Sequence, residues 1–137
     1  MNNFVPRGIR NNNPGNIRLS MSTTWLGQVQ GDDPSFCTFD TDAHGIRAIA
    51  KIIVNYERKD NETTVREMIN RWAPPVENDT SAYVDAVANG VGVGADDTID
   101  VTNPTTLASI VTAIIQHENG QQPYEEDLIL TSVQEAL

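Results

Sequence analysis

The pattern of apolar residues changes once along this chain, at about Thr41, and that change sets what it can fold into. Before it, Asn11-Asn12-Asn13-Pro14-Gly15-Asn16 and Gly31-Asp32-Asp33-Pro34 are dense turn signals. Short candidate strands sit between and after them: Ile17 to Leu19, Thr24 to Val29 and Phe36 to Phe39. They predict a small three-stranded antiparallel unit. After Thr41 the apolar residues take helical spacing. Ile46, Ile49, Ala50 and Ile53 form the first stripe, with Thr41 or Asp42 as N-cap. Thr64-Val65-Arg66-Glu67 reads as a capping box, and Val65, Met68, Ile69 and Trp72 follow until Pro74-Pro75 ends the helix. Asp79-Thr80-Ser81 opens a third helix through Tyr83, Val84, Val87 and Val91, ending among Gly90, Gly92 and Gly94. Asn103-Pro104 opens a fourth through Leu107, Ile110, Val111 and Ile114, with Gly120 as its stop. A last helix is expected from about Tyr124 to Leu137. At 137 residues, the reading is one α+β domain over 1–137, with a β-lobe at about 11–40 and a helical part at about 41–137.

Charge removes several classes of function. Nineteen acids face nine bases, a net charge of −10. That balance opposes nucleic-acid binding, where Lys and Arg must neutralise phosphates, and opposes docking on an anionic membrane. A DNA-associated helical regulator would need a basic recognition helix, and only Arg66 and Arg71 approach one. No apolar run reaches the ~20 residues of a bilayer span. Met1-Asn2-Asn3-Phe4 opens without a basic n-region or an apolar h-region, so no signal peptide is expected. The single cysteine, Cys37, reads as a small buried hydrophobe, and with His44 and His117 it is too sparse for a zinc site. The chain has no P-loop, GxGxxG, GxSxG or HExxH, so neither metal nor cofactor is expected.

Glu118 breaks its own helix pattern. Continuing the stripe 107, 110, 111, 114 leads to 117 and 118, where His and Glu stand. An acid facing inward at a helix C-terminus is pushed toward its protonated form by desolvation and by the helix dipole. A carboxylic acid kept protonated near neutral pH is what a general acid for glycosidic cleavage requires. The alternative is a helix that frays earlier and leaves Glu118 in solvent beside Asn119-Gly120. His117 reads as a C-terminal cation or core-edge residue. The loop from Trp72 to Thr80, bracketed by two prolines and an Asp-Thr-Ser cap, presents Trp72, Glu77 and Asn78. An aromatic with amide neighbours suits a sugar's apolar face and hydroxyls, while core packing is the plainer role for Trp72. Arg7, Arg10 and Arg18 are three of the nine bases and make a local anion-contacting patch on an acidic chain, or simply an arm and a turn.

Five segments taken together carry a resemblance over nearly the whole chain. They are Arg7 to Arg18, Phe36 with Phe39, Gly45-Ile46-Arg47-Ala48, Trp72 to Asn78, and His117-Glu118-Asn119-Gly120. The sequence resembles bacteriophage proteins with a lysozyme-like, cell-wall-degrading domain. It is also similar, more loosely, to the glucosaminidase and lytic transglycosylase branch of the lysozyme superfamily. There a helix ending in the catalytic glutamate precedes a β-lobe with an Asn-Asn turn, a phenylalanine strand and a tyrosine segment. Here Asn12 to Ile17 corresponds to the turn, Phe36 to Phe39 to the strand, and Trp72 through Tyr83 to the tyrosine segment. The glutamate helix comes last instead of first, so the resemblance implies a circularly permuted lysozyme-like domain.

That resemblance implies cleavage of the β-1,4 glycan of peptidoglycan, with Glu118 as general acid. A lytic transglycosylase uses one carboxylate and the substrate's own 6-hydroxyl; a muramidase adds a second acid. Glu77 is the candidate second acid, with Asp40 and Asp32 behind it. Trp72, Asn78, Tyr83, Asn16 and Arg18 are expected to bind substrate. The expected partners are glycan strands and other virion proteins, and the expected place of action is the virion or the host cell wall. A rival from another class is a non-catalytic virion or wall-binding protein on the same fold. The charge of −10 then favours delivery within a larger assembly, because bacterial envelopes are themselves anionic.

Overall fold

A computed structural model describes residues 5–76 and 78–137. It is mainly helical with a small antiparallel sheet, an α+β arrangement. Among the described residues the helices are α1 (Arg7–Arg10), α2 (Asp42–Asp60), α3 (Val65–Trp72), α4 (Thr80–Val91), α5 (Pro104–Asn119) and α6 (Glu126–Gln134). The strands β1 (Gln28–Val29) and β2 (Thr38–Phe39) pair antiparallel, Gln28 with Phe39 and Val29 with Thr38. Among the described residues no helix is long and apolar enough to cross a membrane.

Each long helix begins where a side chain satisfies its free N–H groups. Thr41 accepts from the His44 amide, Thr64 from Glu67, Asp79 from Ala82, and Asn103 from both Thr105 and Thr106. The box at α3 closes one residue earlier than its motif implies, since Glu67 reaches back to the Thr63 amide at 3.0 Å. Asn61, Gly92 and Gly120 take left-handed conformations that end α2, α4 and α5. The stripes then meet in one core. Ile46, Ile49 and Ile53 of α2, Met68 and Ile69 of α3, Val84 and Val87 of α4, and Leu107, Ile110 and Ile114 of α5 are all fully buried. Helix α5 packs against α1, α2, α4 and α6, so its C-terminal turn is held from several sides.

The β-lobe departs from the expected three strands. Ile17 to Leu19 contributes only one bridge, Arg18 opposite Phe36, and Thr24 to Val29 shrinks to two paired residues. The reason lies in the asparagines. Asn16 has φ 50°, which turns the chain out of the ladder. Asn13 is fully buried and its carboxamide donates to the carbonyls of Ile17 and Cys37, at 3.0 and 2.9 Å, while accepting from the Ile17 amide. A side chain therefore does what ladder bonds would do. At Gly27, φ 81° bends the chain just before β1. Cys37 is 1% exposed, within the core as its type predicts. Two boundaries also differ from expectation. Arg7–Arg10 forms a single helical turn rather than an arm, and α6 starts at Glu126 because Gln122 takes the Tyr124 amide into a turn.

Candidate functional site

The last turn of α5 remains helical through Asn119, so Glu118 is held in place rather than frayed into solvent. Its Oε1 accepts from Asn16 Nδ2 at 3.0 Å, and its Oε2 accepts from the Tyr83 hydroxyl at 2.8 Å. These partners lie 102 and 35 positions away in the sequence. Tyr83 comes from the buried stripe of α4 and is only 2% exposed. Its hydroxyl in turn accepts from Trp72 Nε1 at 2.9 Å. The result is a directed chain from indole to phenol to carboxylate, and it fixes the carboxyl plane. Burial first, and the adjacent Glu118 charge second, raise the Tyr83 pKa well above its ordinary value, so the phenol stays a donor.

On its other side Asn16 is packed against Gly8. Its Oδ1 is buried without a hydrogen-bond partner, as is Oδ1 of Asn119. Both oxygens face Gly8: a Cβ there would lie 2.6 Å from Asn119 Oδ1 and 2.9 Å from Asn16 Oδ1. Glycine is thus required on α1 for the two carboxamides to approach. Asn119 Nδ2 donates to Pro14 at 2.8 Å and to Ile115 at 2.9 Å, which ties the end of α5 to the asparagine turn.

Glu118 opens onto a cleft of about 670 Å³ between the β-lobe and the helices. Asn16, Arg18, Trp72, Asn78 and Glu118 all line it. Half-buried Trp72 supplies an aromatic surface, and Asn78 is exposed with its amide on the Pro74 carbonyl at 3.1 Å. Tyr83 does not line the cleft; it acts from behind Glu118, because its ring is part of the core and its hydroxyl is engaged on both sides. Glu77 lies outside the described residues. Asp40 is 2.6 Å from His44 Nδ1, which holds its carboxyl below the ordinary range, and neither Asp40 nor Asp32 lines the cleft. Exposed His117 stacks on Tyr83, with ring centres 3.9 Å apart. Tyr56, at the cleft wall, has its pKa pushed up to about 12 by burial.

Gly8, Asn13 and Asn119 were not marked as site residues by the sequence. The available signal was the run of three asparagines before Pro14, where only one of the three carboxamides enters the core. A second, larger groove of about 890 Å³ runs between α4, α5 and α6, and includes Ala86, Gly90 and Ala108. Among the described residues it holds no carboxylate clamped by buried donors, so the smaller cleft is the candidate site.

No family model matches the chain. Protein P5 of Pseudoalteromonas phage PM2 is 40% identical to it over 130 residues, which is 93% of this chain and 79% of that protein. Identity of that extent establishes that the chain belongs to the phage protein family represented by Protein P5 of phage PM2.

Proposed function

We propose that this phage protein cleaves the β-1,4 glycan strands of bacterial peptidoglycan, with Glu118 as the general acid. One observation carries the reading: a single carboxylate, gripped at both oxygens by Asn16 and Tyr83, in a cleft with an aromatic wall. A sugar chain fits such a cleft, since Trp72 offers a face for a pyranose ring and exposed Asn78 an amide for hydroxyls, while Asn16, expected to bind substrate, instead holds Glu118. Each oxygen of Glu118 accepts one hydrogen bond within the protein and keeps a second lone pair, where the acid form carries the proton that it gives to the glycosidic oxygen. Glu118 protonates the glycosidic oxygen as the bond to the leaving sugar breaks. In the transglycosylase route the same group then takes the proton from the 6-hydroxyl, which closes an anhydro ring without water. In the muramidase route a second acid, Glu77, activates water or attacks the sugar.

The lysozyme-like, circularly permuted architecture belongs to the same proposal. What supports it is the contact between the asparagine turn at 12–17 and a glutamate helix from the far end of the chain. Helices α1 and α6 both pack on α5, so the two ends of the chain are gathered on one element. Delivery within a virion accords with the phage family and with the charge of −10.

The test is loss of turbidity of purified cell walls with wild-type protein and with Glu118→Gln. Cleavage by the wild type and none by the variant, at matched folded content, is the expected result. Equal behaviour of the two proteins would favour a non-catalytic wall-binding or structural role.

A further inference from the structure

We propose that Arg7 and Arg18, stacked on Phe36, form a subsite for a carboxylate in this cleft. The identity of the ligand rests on the glycan reading above; the charge it must carry rests on the residues here. Although the chain has a net charge of −10, the charged residues lining the cleft, among those described, are two arginines and Glu118. Each arginine holds its guanidinium carbon 4.8 Å from the centre of the Phe36 ring. They arrive from different elements, Arg7 from α1 and Arg18 from the bridge opposite Phe36.

Both arginines are exposed, and two features suit the pair to binding an anion. Stacking on an aromatic ring limits the guanidinium's rotamers and leaves its N–H edge free, in the fork geometry that matches a carboxylate. The counter-charge is also incomplete. Asp33 lies 3.5 Å from Arg7, but its oxygens already accept from the amides of Ser35 and Phe36 and from Asn11. It therefore orients Arg7 and neutralises part of its charge. Arg18 has no ion-pair partner among the described residues. Two positive charges against one ring are short of negative charge, which a bound carboxylate supplies.

A carboxylate is the anion a peptidoglycan strand can bring to this position. It occurs on the lactyl group of a muramyl sugar that has lost its peptide, and on the peptide stem itself. Both present the same chemistry to the arginine pair.

The experiment is a titration of the full-length protein, labelled with nitrogen-15 and followed through the arginine Nε–H signals. The probes are N-acetylmuramic acid, the stem dipeptide L-alanyl-γ-D-glutamate, and N-acetylglucosamine, which has no carboxylate. The Arg7 and Arg18 signals are expected to move with one or both carboxylate probes and to stay still with N-acetylglucosamine; the active probe identifies the source. Arg18→Gln should weaken that binding about tenfold, and Arg58→Gln, on an exposed turn of α2 outside the cleft, should leave it unchanged. Equal response to all three probes, or no response to either carboxylate, overturns the subsite. On purified walls Arg18→Gln should raise KM by a larger factor than it lowers kcat. Failure of the wild type to cleave walls would sink the glycan reading, and the titration would still decide the carboxylate subsite.

Discussion

Glu118 owes its orientation to Tyr83 and Asn16, and each of those owes its own to a further contact. Tyr83→Phe removes the donor to Oε2 and the acceptor for the Trp72 indole in one step. It should lower the cleavage rate by roughly 10- to 100-fold, the scale of a misplaced reacting group. It should also cost about 1–3 kcal/mol of stability, since a half-buried indole N–H loses its partner. Activity near wild type, with the fold retained, would remove Tyr83 from the positioning chain. Gly8→Ala probes the other side. Its methyl would meet Asn119 Oδ1 at 2.6 Å, the Asn13 carbonyl at 2.8 Å and Asn16 Oδ1 at 2.9 Å. Overpacking of that kind costs about 1–3 kcal/mol, and the displaced Asn16 should reduce cleavage as well. Urea denaturation and wall digestion on the same preparation measure the two effects, and a Gly8→Ala protein equal to wild type in both would show that this approach is not tight.

At the scale of elements, α5 carries the site, and its cap is what places Glu118 in register. Asn103 accepts from two amides at the start of the helix, with Pro104 at its first position. Asn103→Ala should cost ~1 kcal/mol, read as a lowered urea midpoint with an unchanged slope. No change would mean that packing alone defines the start of α5. Much of this level was legible in the sequence. The caps Thr41, Thr64, Asp79 and Asn103 and the stop Gly120 each announce a boundary through local chemistry, and the structure begins or ends helices there. The β-lobe was less legible, because period-2 patterning cannot reveal that Asn13 replaces ladder bonds or that Asn16 turns away at positive φ. The inward position of Glu118 followed from helical spacing. Its partners did not, since contacts spanning 102 and 35 positions leave no trace in local pattern.

For the whole molecule, three tyrosines tie stability to alkaline pH. Burial pushes Tyr56 and Tyr124 up to about 12 and Tyr83 higher still, against an ordinary value of 10.0. The unfolded chain therefore loses these protons first as pH rises, so it binds fewer protons than the folded chain above that value. Their contribution to stability is complete below pH 10.0 and is lost progressively as pH climbs through about 12. Urea midpoints at about pH 8 and about pH 11 should show the fall, and Tyr124→Phe should make it shallower; an unaltered slope in the variant would contradict the assignment. The acidic balance of the chain has a different bearing. With a net charge of −10 overall, the cleft differs from the rest of the chain in having two arginines beside one acid among its described lining residues. The central claim is the role of Glu118, and mass spectrometry of the fragments released from purified peptidoglycan tests it most directly. Wild-type protein should release muropeptides with either anhydro or reducing muramyl ends, and Glu118→Gln should release none. Fragments absent from both digests, or identical in both, would contradict the account.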